Sequence, residues 1–265
     1  MQDKPVGIFD SGIGGLSVLK DIRSLLPNEE LIYIADSAFA PYGNKPLEFI
    51  RQRCHDLTQF LLEQNAKAIV VACNTATAAA VDRLRQQFTI PIIAMEPGVK
   101  PAIAATKSGI VGVLATENTL TSQQFTDLLH RYAENVKVIS QPCPGLVEQI
   151  ETGKFDTPET RRLIQRFTAP LLSAGADTIV LGCTHYPLIH KQIADILGPA
   201  ITIIKTGHAV AQQVKSVMTE QQISSHSSDV ATITCWTSGE TKQVQPIVSA
   251  ILGQVVPTLS LPGFS

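Results

Sequence analysis

Two cysteines carry the most chemical information in this sequence. Cys73 lies in Ala-Cys-Asn-Thr and Cys183 in Gly-Cys-Thr-His, each directly after a short apolar run. Taken singly, either reads as an inert core residue, because free cysteine is among the most buried residue types. Taken together they do not, since they stand at equivalent places in two halves of the chain that repeat one another. A thiol has an unperturbed pKa of about 8.5, near enough to neutrality for modest tuning to make it a base or an acid. Two thiols meeting one ligand from opposite sides suit a reaction in which a proton leaves one face of a carbon and another arrives at the opposite face.

Other reactive or small polar groups follow the same kind of apolar run. Asp10-Ser11-Gly12-Ile13-Gly14-Gly15 admits two readings. One is a dinucleotide-binding loop with Asp36 as its ribose-binding acid; the other is a tight strand-to-helix turn capped by Asp10. Ser17 at the third small position, and a carboxylate where a pyrophosphate would lie, weigh against the first. His185 is either a proton-handling partner for Cys183 or a satisfied core histidine. Cys54 and His55 fall in a helical pattern as packing or surface residues, Cys235 in a strand of the tail, and Cys143 in a Pro-Cys-Pro turn that is a lesser candidate for a pocket wall. There is no C-x-x-C pair, and His185 and His190 are separated by Pro187, so no metal site is expected.

The elements that must position these groups alternate along the chain. Valine- and isoleucine-rich runs at 5–9, 31–35, 68–72 and 90–95 are apolar on both faces and read as buried strands. Between them, 16–26, 47–63 and 77–88 carry apolar residues at helical spacing. The series restarts about 105 to 110 positions later, with strands at 110–115, 136–139, 178–182 and 201–204 and helices at 122–132, 158–174 and 188–197. This order implies an α/β protein of two similar parallel-sheet domains related by pseudo-twofold duplication, with ligands beyond the carboxyl ends of the strands. After a helix at 209–219 and a polar loop, the tail with its runs ATITCWTSG and QVQPIVSAIL is too short for a domain and is expected to rejoin the first sheet.

With 265 residues, 44% of them apolar and 17% charged, the chain is globular. A net charge of −2 offers no footprint for nucleic acid or an anionic membrane. No apolar run reaches the roughly 18 residues of a membrane span, and the first residues lack a signal pattern, so a cytoplasmic protein is expected.

Phe9-Asp10-Ser11-Gly12-Ile13-Gly14-Gly15-Leu16, Pro41-Tyr42-Gly43, Ala72-Cys73-Asn74-Thr75-Ala76-Thr77 and Leu181-Gly182-Cys183-Thr184-His185-Tyr186-Pro187 closely resemble the motifs of the glutamate racemase family, a likeness running from about residue 5 to about 215. The resemblance implies a cofactor-independent racemase that makes D-glutamate for peptidoglycan. It implies two α/β domains, 1–97 with 208–265 and 98–207, with the active site between them, and a homodimer. Cys73 and Cys183 map to the catalytic pair. Asp10, Ser11, Tyr42, Gly43, Asn74, Thr75, Thr184 and His185 map to substrate-binding positions, with Thr116 and Thr119 as further contacts and Glu151 as an auxiliary acid near the second cysteine. Asp10 would accept from the substrate ammonium or assist Cys73, and His185 would do the corresponding service for Cys183, by orienting or by proton transfer. Lys205 stands where the family usually has an aspartate. Rival readings are an aspartate or hydantoin racemase, a nucleotide-binding regulator using the glycine loop, and a cysteine hydrolase using Cys183 and His185.

Overall fold

Every strand pairing among the described residues is parallel. The computed structural model describes residues 4–263; residues 1–3 and 264–265, at the ends of the expected first domain, lie outside the described residues. The first half supplies β1 (Val6–Asp10), β2 (Leu31–Ala35), β3 (Ala68–Val71) and β4 (Ile92–Ala94), and the second β5 (Ile110–Ala115), β6 (Lys137–Pro142), β7 (Thr178–Leu181) and β8 (Thr202–Ile204). The tail adds β9 (Ile233–Thr237) and β10 (Thr258–Ser260). One sheet runs β10-β9-β2-β1-β3-β4 and the other β6-β5-β7-β8. The duplication is therefore visible in space: β2-β1-β3-β4 and β6-β5-β7-β8 have the same order.

That order matters for function. From β1 the chain steps to β2 on one side and then crosses to β3 on the other, which leaves a crevice at the carboxyl ends of β1 and β3, where open parallel sheets bind ligands. The second half repeats the crevice between β5 and β7. The tail rejoins the first sheet as expected, β9 pairing with β2 and β10 with β9.

The helices are α1 (Leu16–Leu25), α2 (Leu47–Glu63), α3 (Asn74–Gln87), α4 (Val99–Ala105), α5 (Glu117–Leu120), α6 (Gln123–Tyr132), α7 (Leu146–Glu151), α8 (Pro158–Ser173), α9 (His190–Leu197), α10 (Gly207–Glu220) and α11 (Thr241–Leu252). They cover both faces of each sheet, so β1, β2, β3 and β7 are buried throughout. Residues of α2 and α3 cluster on one face of the first sheet, and those of α4 and α6 on one face of the second. The remaining apolar cluster is continuous across the two lobes, from Leu16, Leu19 and Ile22 of α1 and Val210 and Val214 of α10 to Ile150, Leu163 and Ile193. No helix among the described residues is long and apolar enough to cross a membrane.

Local chemistry moved several expected boundaries. The helix after β3 starts at Asn74 rather than 77, because the Cys73 sulfur accepts the Ala76 N–H and caps it. The helix expected over 188–197 is split into a 3-10 turn, Tyr186–Ile189, followed by α9, since Pro187 has no N–H for a helical ladder. The fourth strand is shorter than 90–95, with Pro91 just ahead of it, and β6 lies slightly later than 136–139. The short helices α4, α5 and α7 had no periodicity long enough to be read.

Candidate active site

Each cysteine lies two residues beyond the end of a central strand. Cys73 follows β3 at the start of α3, and Cys183 follows β7. They line one cavity between the lobes together with Ser11, Tyr42, Gly43, Asn74, Thr75, Thr116, Thr184 and His185. The cavity is tight, with room of about 10 Å³, about what one water needs. Asp10, Thr119 and Glu151 stand behind this wall and contact residues in it.

On the first-lobe side, burial and the neighbouring Asp10 carboxylate push the Cys73 thiol well above its ordinary range, only partly offset by the Ala76 N–H. Cys73 is therefore held as a thiol, with its sulfur 3.8 Å from Ser11 Oγ. Asp10 is itself raised by burial, against the opposing pull of His185. Its oxygens accept from the N–H groups of Ser11 at 2.7 Å and Gly15 at 2.5 Å, and from Thr184 Oγ1 of the other lobe at 3.1 Å.

On the second-lobe side three groups form a chain. Cys183 Sγ lies 3.6 Å from His185 Nδ1, and His185 Nε2 lies 2.5 Å from Glu151 Oε1. Burial alone would lower the His185 pKa, but the sulfur and the carboxylate outweigh it and hold the ring above its ordinary value of 6.5, as imidazolium. Glu151 thus meets the imidazole rather than the sulfur. It also accepts the Ile13 N–H at 2.7 Å and the Ser37 hydroxyl at 3.2 Å, both from the first lobe.

This seating explains the glycine loop. A Cβ at Gly12 would stand 2.0 Å from Glu151 Oε1, and one at Gly14 would stand 2.4 Å from His185 Nδ1. The loop is bare so that the opposite lobe can pack against it. Its N–H groups at Ser11, Ile13 and Gly15 are satisfied by protein carboxylates, which corrects the dinucleotide reading. Asp36 is likewise no ribose ligand: Arg53 grips it through two hydrogen bonds, at 2.9 and 2.6 Å, and the Tyr42 hydroxyl donates to it. This buried knot anchors the 3-10 turn Tyr42–Asn44 that borders the cavity.

Across the cavity, Thr75, Thr116 and Thr119 join their hydroxyls in a triangle, with separations of 2.8, 3.2 and 2.9 Å. Asn74 differs from its neighbours, because both polar atoms of its side chain are buried without a hydrogen-bond partner. Leaving such groups unpaired costs about 1–3 kcal/mol each, a penalty that a bound carboxylate or ammonium in the cavity would relieve.

The other candidates fall away from the site. Cys54 is fully buried in α2, and Cys235 lies in β9, where burial lifts its thiol to about 12. Cys143 is packed in the core beside Tyr186 and donates to the Gln141 carbonyl, so it is not part of the cavity wall. Among the described residues no His, Cys, Asp or Glu cluster has the makings of a metal site. Lys205 is exposed at the end of β8 and faces Asp21 of α1. Asp21 also abuts Gly207, where a Cβ would stand 2.2 Å from its Oδ2. An acid is thus already present beside position 205. We expect Lys205→Asp to change kcat/KM by less than about tenfold, roughly 1.4 kcal/mol; steady-state kinetics showing a larger loss would place the position in the site or in lobe closure.

Two separate lobes that each offer a thiol to one cavity find their match among known proteins. Residues 11–214 match the family model for Asp/Glu/hydantoin racemases. The chain belongs to this family. A glutamate racemase of Ectopseudomonas mendocina is 51% identical over 94% of this chain and 95% of its own. Among solved structures, a glutamate racemase of Bacillus anthracis superposes with a TM-score of 0.90 at 32% identity, covering 99% of both chains. The Francisella tularensis glutamate racemase, solved in complex with D-glutamate, gives 0.86 at 28% identity, covering 100% of this chain and 99% of that one. In this racemase, the sequence motifs pointed to the cavity wall, but Ser37, Arg53 and Asn118, whose Nδ2 donates to the Tyr42 and Lys45 carbonyls, left no local signal, because each acts on a partner distant in sequence or on the far side of a turn.

Proposed function

We propose that the protein interconverts L- and D-glutamate by passing protons through Cys73 and Cys183, without a cofactor. The observation that carries this reading is the convergence of both sulfurs on one tight cavity from corresponding strands of duplicated lobes. Racemisation needs a base on one face of the α-carbon and an acid on the other. Cys73 is held as a thiol and is the acid of the resting form; Cys183, beside the His185 imidazolium, is the base. The roles exchange when the opposite enantiomer reacts.

The intermediate is a carbanion next to a carboxylate, so donors must already be in place in a water-poor site. The first turn of α3 brings the Asn74 amide, the Thr75 hydroxyl and the positive end of a helix to the cavity. Thr184 serves from the other lobe. Asp10 and His185 assist the two thiols, and Glu151 holds His185 in register. A cavity of about 10 Å³ is too small for glutamate, so the lobes, 1–97 with 208–265 and 98–207, part to admit it. Glutamate is preferred over aspartate or hydantoins on the strength of the relatives, one of which holds D-glutamate. A homodimer in the cytoplasm that supplies D-glutamate for peptidoglycan completes the reading, on the same family resemblance.

The test is direct. Purified protein incubated with L-glutamate alone, with a chelator present, is expected to carry the optical rotation to zero. Rotation lost only with L-aspartate or a hydantoin would move the assignment to a sister activity, and dependence on an added metal would defeat the cofactor-free mechanism.

A further inference from the structure

We propose that Asn118 is a positioning residue, a latch that holds the lobes closed over bound substrate. It lies in the single turn α5, two residues after Thr116, on the second lobe. Its Nδ2 donates to two carbonyls of the first lobe, Tyr42 O at 3.1 Å and Lys45 O at 3.0 Å. A primary amide has two N–H bonds on one nitrogen, and here each meets an acceptor at one end of the turn Tyr42–Asn44. Hydroxyl or carboxylate side chains cannot reproduce this arrangement.

The turn so held is the one that borders the cavity. Below, the Tyr42 hydroxyl ties it to Asp36 and through that carboxylate to Arg53, all within the first lobe. Above, Gly43 meets the second lobe so closely that a Cβ would stand 2.7 Å from the Cβ of Thr116. Asn118 supplies the polar part of this contact, and its bonds run between lobes that must separate for substrate to enter. Breaking them frees the Tyr42–Asn44 turn from the second lobe; making them seats Gly43 against Thr116 and completes the wall.

The inference rests on the racemase reading and predicts a particular split in the kinetics. Closure is needed for tight binding, and the apparent affinity scales with the closed fraction. Losing two neutral hydrogen bonds should therefore raise KM for both enantiomers by about five- to thirtyfold in Asn118→Ala, with kcat altered by less than about threefold. Asn118→Asp is the sharper probe. It matches the amide in shape but sets an anion against two carbonyls, so its KM should exceed that of the alanine variant, whereas Asn118→Ser, with one donor, should lie between alanine and the native enzyme. Amide hydrogen exchange at Lys45, whose N–H bonds to Tyr42 O, should accelerate in the alanine and aspartate variants. A residue that only packs α5 would give the reverse order, aspartate near native and alanine worse. That order, or a fall in kcat at constant KM, would overturn the latch. Melting temperatures identify a variant that fails to fold, and hydrogen exchange in the alanine variant then carries the decision. Absence of turnover in the native protein would count against the racemase reading and leave the exchange result to judge the latch.

Discussion

Replacing either Cys73 or Cys183 by alanine is expected to stop interconversion of glutamate in both directions. Each turnover removes a proton at one sulfur and delivers one from the other, so neither thiol alone completes a cycle. Where two groups act as a unit, deleting one should cost nearly as much as deleting both. The surviving thiolate still reaches the α-proton of the enantiomer that faces it. In deuterated buffer, proton NMR should show any residual exchange skewed toward opposite enantiomers in the two variants, without inversion in a chiral assay. In the native enzyme, deuterium should enter the product with inversion. Near-native racemisation by either single variant would mean that one base suffices. The same experiment disposes of the hydrolase rival, which has its own order in Cys183, His185 and Glu151 but assigns no task to Cys73.

The second large effect is expected from one added methyl group. Gly12→Ala should lower kcat/KM at least about a hundredfold, roughly 2.7 kcal/mol. A Cβ there would stand 2.0, 2.4 and 2.6 Å from Oε1, Cδ and Oε2 of Glu151, so the whole carboxylate has to leave. His185 then loses one of the two partners, with Cys183, that keep its ring charged, and removing one member of a buried pair costs about 3–5 kcal/mol because the other is stranded. Ile13 loses its acceptor as well. The control is a double-mutant cycle. In a Glu151→Ala background the obstruction is gone, so adding Gly12→Ala should cost little more. Additive losses, or a Gly12→Ala enzyme within tenfold of native, would show that the loop is bare for some other reason.

The reach of the sequence was uneven for physical reasons. The succession of strands along the chain and the duplication were legible because a strand buried on both faces is mostly apolar, as β1, β3 and β7 are apart from Asp10 and Thr178. The residues after those strands could be singled out because open parallel sheets place ligands there. The glycine loop was legible as a turn but not in purpose. What it accommodates is Glu151, 138 positions from Ile13 in sequence, and no local pattern records a neighbour that distant. Asp36 shows the same limit, since a carboxylate at a strand end fits a ribose acid until the fold puts Arg53 against it. Asn118 sits in a one-turn helix too short to have periodicity, and its partners are backbone carbonyls, which carry no side-chain signature.

The return of the tail to the first sheet sets an order of events during synthesis. β5 to β8 come from one uninterrupted stretch, 110–204, and can pair as they leave the ribosome. The first sheet cannot be finished then, because Leu31 of β2 waits for Ile233 of β9. Contacts so far apart in sequence form late, and meanwhile β2 has an open edge of the kind that invites pairing with other chains. The second lobe can therefore mature before the first, and the lobe that holds Cys73 is completed only when residues 233–260 have emerged. A nascent chain interrupted before that point would carry both thiols in an unfinished scaffold.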